Sequence, residues 1–163
     1  MAGAMVMLPA FSQSAVAQEP APQPAAQQPA AQTEQQQPAA QKLTYDGDTV
    51  IIAYQTNAGK DADYEQVIAK LKDALAKSTD PQAKQQAAGW TVTKLSKPLA
   101  ADGGSTYLHI ISPVVSGADY SIVNIVYAAS SDEEKRAFYD LYKGALKGGL
   151  VQWTGSNVSN LGK

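Results

Sequence analysis

Five of the nine prolines fall between residues 20 and 38. They sit in QEPAPQPAAQQPAAQTEQQQPAAQK, residues 18–42, where nine Gln, seven Ala and five Pro account for 21 of 25 positions. Apart from Ala, nothing there is aliphatic or aromatic. Such a segment cannot bury enough apolar surface to offset its chain entropy. It predicts a disordered linker in which proline favours extended polyproline II. At ~3.1 Å per residue it would reach on the order of 75 Å. Whatever folds must lie after it, and residues 43–163 hold all eight Tyr and both Trp. The overall hydrophobic content of 44% therefore overstates the core, because much of it is Ala. Nothing following Ala17 would anchor a tether, and there is no Cys for lipid attachment. A low-complexity leader explains the segment better than a selected spacer.

Residues 1–17, MAGAMVMLPAFSQSAVA, carry no charge. Ala4 to Phe11 is apolar enough for the central region of a signal peptide. Ala15 and Ala17 are the small residues a signal peptidase requires, so the expected cut follows Ala17. The stretch is too short, and too interrupted by Pro9, for a transmembrane helix, which needs ~20 apolar residues. A signal peptide should also open with basic residues, yet the first here is Lys42. The true start is therefore expected upstream of Met1. The localisation predicted is export, periplasmic or secreted.

Composition narrows the chemistry. The absence of Cys excludes a disulfide framework, a thiolate nucleophile and Cys-based metal sites. One His excludes a multi-His centre within the chain. A net charge of -2 argues against nucleic acid, whose phosphates need clustered Lys and Arg.

Within residues 43–163 the periodicities are readable. Asp48 to Gln55, DTVIIAYQ, reads as a strand. Val50, Ile52 and Tyr54 share one face and Ile51 and Ala53 the other, and apolar residues on both faces predict a central position. Asp61 to Lys77 shows helical spacing, with Tyr64, Val67, Ile68, Leu71, Ala74 and Leu75 on one stripe and Asp61 as the expected N-cap. Asp80-Pro81 opens a short helix that Gly89 would end. Trp90 to Lys97 and Thr106 to Ser112 read as strands of an antiparallel hairpin. In the second, Tyr107, His109 and Ile111 point one way and Leu108 and Ile110 the other.

Asp119 to Ala129 carries signals for both states. Its β-branched residues favour a strand. Capping-type Asp119 and the Ile122, Ile125, Val126, Ala129 spacing favour a helix, which also makes the topology regular. Ser131 and Glu134 form a capping box opening a helix from Asp132 to about Lys147. Phe138, Leu141, Tyr142 and Ala145 are its expected buried stripe, and Gly148-Gly149 its stop. A last strand is expected around Val151 to Thr154 or Asn157 to Leu161.

The predicted fold is α+β. Strand, helix, strand, strand, helix, strand resembles the ferredoxin-like βαββαβ unit. More narrowly, residues 48–161 resemble the dimeric α/β-barrel superfamily. The resemblance rests on the opening strand Val50 to Tyr54 and on the turn Asn57-Ala58-Gly59-Lys60 leading into the acidic start of an amphipathic helix. A hairpin and a second helix follow. It implies two sheets paired across a homodimer. Members of that superfamily include cofactor-free monooxygenases, haem-binding or haem-degrading proteins, and many without known activity. The interval Ser78 to Gly89 and the segment Asp119 to Ala129 depart from its compact pattern.

Among candidate site residues, His109 is the only imidazole. With Tyr107, Tyr54 and Trp90 it could line a cavity, bind haem iron or act as a base near neutral pH. Spacing supplies no triad partner, and a hydrogen-bonded strand histidine among core aromatics explains the same residues. Asp132-Glu133-Glu134 complements a helix dipole. Asp46-Gly47-Asp48 lacks calcium-loop spacing. Asp102-Gly103-Gly104 joins two strands, so it is no phosphate loop. No metal site and no cofactor are expected. The function predicted is non-catalytic binding of a small apolar ligand or a protein partner, and the alternative is a cofactor-free oxygenase or haem-handling enzyme using His109.

Overall fold

In the computed structural model, the residues described are 41–99, 101–147, 151–159 and 161. The expected signal peptide, all but the end of the expected linker, and the Gly148-Gly149 stop lie outside them. Strand β1 (Thr49–Gln55) is followed by helices α1 (Asp61–Lys77) and α2 (Pro81–Gly89). Strands β2 (Trp90–Lys94) and β3 (Thr106–Ile111) come next, then α3 (Ile122–Ala128), α4 (Asp132–Ala145) and β4 (Val151–Gly155). The architecture is α+β.

The four strands form one sheet in the order β2-β3-β1-β4, and every neighbouring pair is antiparallel. β1 is central, as its two apolar faces predict. β2 and β3 pair as the expected hairpin, with Val92 opposite His109. The last strand takes the earlier of its two expected positions. Asp119 to Ala129 resolves into a loop and a helix.

One face of the sheet carries Val50, Ile52, Tyr54, Tyr107, His109 and Ile111, all buried. They join Tyr64, Val67 and Leu71 of α1, Val126 of α3 and Phe138 of α4 in one cluster. Five of the six residues predicted for the α1 stripe are buried, and Ile68 packs partly buried against them. On α4, Phe138 and Ala145 are buried, while Leu141 and Tyr142 pack half-buried at the margin.

Helix ends follow local chemistry where no tertiary partner competes. Asp80 caps α2 by accepting from the Gln82 N–H at 2.8 Å, with Pro81 at the first helical position. Ser131 and Glu134 make both bonds of the capping box. Two expected caps are corrected. Asp61 is the first residue of α1 and Lys60 occupies the cap position without a side-chain bond. The Asp61 carboxylate instead accepts from Thr56 Oγ1 at 2.8 Å and Ser105 Oγ at 2.6 Å. Asp119 does not cap α3; Ser121 does, accepting from the Asn124 N–H. Asp119 accepts from the N–H groups of Leu43 and Ser121 and from Asn124 Nδ2, pinning the start of the domain to this loop.

Gly104 fixes the close approach of the β2–β3 loop to β1. A Cβ there would overlap the Thr56 carbonyl oxygen. The neighbouring Ser105 N–H donates to Thr56 Oγ1, and the Thr56 N–H donates to the Ser105 carbonyl.

Candidate functional site

Of the three aromatic residues singled out with His109 in the sequence, the structure packs Tyr54 and Trp90 against its ring. His109 has no exposed surface. The Tyr54 ring lies 4.6 Å from it and the Trp90 ring 5.7 Å, centroid to centroid. Tyr107, two residues along β3, reaches it only through Tyr64, whose ring is 4.9 Å from that of Tyr107.

Both imidazole nitrogens are engaged. Trp90 Nε1–H donates to Nδ1 at 3.0 Å. An indole nitrogen can only donate, so Nδ1 must accept and the neutral ring carries its proton on Nε2. That N–H donates to the Tyr64 hydroxyl, 2.9 Å away. Burial holds the imidazole's pKa down at about 3, so the ring is neutral at ordinary pH. Burial likewise pushes the Tyr54 and Tyr64 phenols well above their usual range. To ligate iron or take a proton, His109 would have to break one of its two bonds in a packed interior.

Tyr64 was placed by the sequence on the α1 stripe, but its role as the second partner of His109 was not. The two are 45 residues apart, and only the sheet's placement under α1 joins them. Trp90 reaches His109 because Trp90 and Ile111 are register partners and His109 lies two residues back on the same face.

A second polar group lies where β2 and β3 meet the start of α1. Lys94 Nζ is 2.8 Å from Asp61 and 3.4 Å from Glu65, and lies 5.4 Å from the Tyr107 ring centre. Tyr107 donates its hydroxyl to Glu65 at 2.8 Å. The bond from Lys94, with that from Ser105, pulls the Asp61 carboxyl down to about 2, and Asp61 in turn raises Lys94. Burial, then the bond to Glu65, pushes Tyr107 up to about 12. Each charge here meets an opposite charge. The cluster fastens the hairpin to α1.

Among the described residues no helix covers the opposite face of the sheet, where Ala53 is buried and Ile51, Leu108 and Ile110 are half-buried. Its register places Thr91, Ile110, Ile51 and Trp153 in one row across the strands, and Thr93, Leu108, Ala53 and Val151 in the next. Ile51, Ala53, Leu108 and Ile110 take no part in the cluster beneath the helices. Trp153 keeps 50% of its surface exposed and Val151 53%. No residue in either row is charged.

Among the described residues there is no group of three or more His, Asp or Glu side chains placed to hold a metal ion. No helix among them is long and apolar enough to cross a membrane. No family model, no curated protein and no solved structure matches the chain.

Proposed function

We propose that the chain is an exported, non-catalytic binding domain of dimeric α/β-barrel type that docks a second copy of itself through the open face of its sheet. The order β2-β3-β1-β4 supports a ferredoxin-like assignment, because a βαββαβ chain gives it when the last strand adds beside the first. Export rests on the signal-peptide pattern ending at Ala17.

The observation that carries the reading is the charge-free double row around Ile51 and Ala53. Apolar sheet faces are normally covered, and one left without helices is a natural docking surface. A two-fold dimer brings a patch against itself, so the patch must bear no charge that would meet its own copy. These rows meet that condition. Four strands ~4.8 Å apart and about five residues long present only about 300 Å² per copy, against about 800 Å² in a standard interface. The dimer is therefore expected to be weak and concentration-dependent.

Sedimentation equilibrium tests this. The expected result is a mass rising toward twice the monomer, with Trp153→Lys holding the chain monomeric and its circular dichroism unchanged. A monomer at every concentration overturns the proposal. The haem-handling alternative has its own test. Haem added to the protein should give a Soret shift that His109→Ala abolishes, and an unchanged spectrum removes that branch.

A further inference from the structure

We infer that the segment after β4, through Val158 and Leu161, grips a second copy of the chain in the groove between the end of α2 and residues 113–116. The inference rests on the dimer proposed above and names the contact that completes it. Val158 is 99% exposed and Leu161 98%. The sheet face offers only about 300 Å² per copy against about 800 Å² in a standard interface. These two side chains supply apolar surface toward that difference, and they follow directly on the strand that carries Val151 and Trp153. Their point of departure is fixed. The Asp48 N–H donates to the Gly155 carbonyl at 3.0 Å, and the Asn157 N–H donates to Asp48 Oδ2 at 2.9 Å.

The groove measures about 480 Å³ and is lined in part by Ala88, Gly89, Pro113, Val114 and Val115. None of the described residues lining it is charged. Its walls are held in place before any partner arrives. The Ser112 N–H donates to the Gly89 carbonyl at 2.8 Å, and a Cβ on Gly89 would lie 2.8 Å from the Pro113 carbonyl oxygen. The Val114 N–H donates to the Asp48 carbonyl at 3.1 Å, and the Val115 N–H to the Tyr120 hydroxyl at 2.8 Å. Within one copy Val158 and Leu161 leave this groove unfilled, because both stand almost wholly in water.

The register shows how a second copy fills it. Thr154, Val50, Ile111 and Trp90 form one row, so the end of β4 and the start of β2 lie at the same end of the sheet, on opposite edges. When two such faces meet about a two-fold axis parallel to the strands, β4 of one copy lies over β2 of the other. That arrangement sets bulky Trp153 against the small Thr91 and Thr93, large on small, as close packing requires. It also brings the end of β4 beside Gly89 and Pro113 of the second copy. Val158 follows Gly155 by three residues, a reach of about 10 Å, which is the spacing of two packed sheets. Apolar anchors then meet an uncharged groove.

Sedimentation equilibrium of the full chain and two variants tests this. Val158→Ser with Leu161→Ser changes only exposed side chains and should weaken self-association by about tenfold or more, with circular dichroism unchanged. Ala88→Glu places a charge in the groove, leaves the sheet face untouched, and should weaken it by a similar factor. An unchanged dissociation constant in either variant overturns the inference and leaves the sheet-face dimer standing. Tighter association of the Val158→Ser, Leu161→Ser chain would mean that the segment covers its own sheet, and overturns the inference as well. A monomer at every concentration in the unaltered chain overturns both the inference and the dimer.

Discussion

The two faces of the sheet are built from the same strands and from similar residues, yet they do opposite things. Ile52 and Ile51 are neighbours on β1. Ile52 is sealed under the helices beside His109, and Ile51 lies in a row that ends on half-exposed Trp153. The covered face even accommodates polar groups, because each finds a partner there: His109 is bonded at both nitrogens. The two central rows of the open face carry no charge, and its polar residues are Thr91 and Thr93 with Thr49, Gln55 and Thr106 at the ends of the rows. Polarity alone therefore does not tell inside from outside in this domain. What separates the faces is which of them the helices cover.

Substitutions on the two faces should break this symmetry unequally. Ile52→Ala removes fully buried methyl groups and should cost about 2–5 kcal/mol in chemical denaturation. Ile51→Ala should cost under about 1.5 kcal/mol, and equal losses would mean the open face is covered in solution.

The next effect is one of pH. His109 is neutral in the folded chain down to about pH 3, whereas its ordinary value in the unfolded chain is 6.5. Below 6.5 the unfolded chain binds a proton that the folded chain excludes. Stability is complete above 6.5 and falls as pH drops, by about 2 kcal/mol at pH 5. Denaturation midpoints between pH 7 and 5 measure this. His109→Gln should flatten the slope, and a persisting slope would assign it elsewhere. The Asp61 carboxyl, held at about 2, contributes only at lower pH.

Tyr64→Phe leaves the Nε2–H of His109 without an acceptor and should cost about 1–3 kcal/mol. Raised hydrogen exchange at α1 and β3 would accompany it. The smallest effect on folding is expected for Trp153→Lys, within about 0.5 kcal/mol for the monomer, while its effect on self-association is the largest of the set.

How much of this was legible depends on the range of the forces involved. The α1 stripe, Asp80-Pro81 and the Ser131–Glu134 box are settled within a few residues, and they read correctly from the sequence. Asp61 and Asp119 misled because each is a good capping residue claimed by distant partners: Ser105 lies 44 residues from Asp61, and Leu43 lies 76 from Asp119. His109 and Trp90 were singled out together, but the partnership with Tyr64 needed the helix-to-sheet packing. The burial of Gln86, whose Nε2 donates to the Asp119 carbonyl at 2.9 Å, was not foreseen. One signal was available. Ala83, Gln86 and Gly89 recur at helical spacing and are all buried, so Gln86 is a polar residue on an apolar stripe.

The placement of the two tryptophans gives each face its own optical reporter. Trp90 lends its indole N–H to a buried imidazole, while Trp153 stands half in water on the far side of the sheet. Emission from the first should respond to protonation of His109 and to loosening of the helices. Emission from the second should shift to the blue, and resist quenching by iodide, only when something covers the open rows. With Trp153→Phe and Trp90→Phe as single-tryptophan forms, folding of the core and occupancy of the open face become two separately readable colours of light.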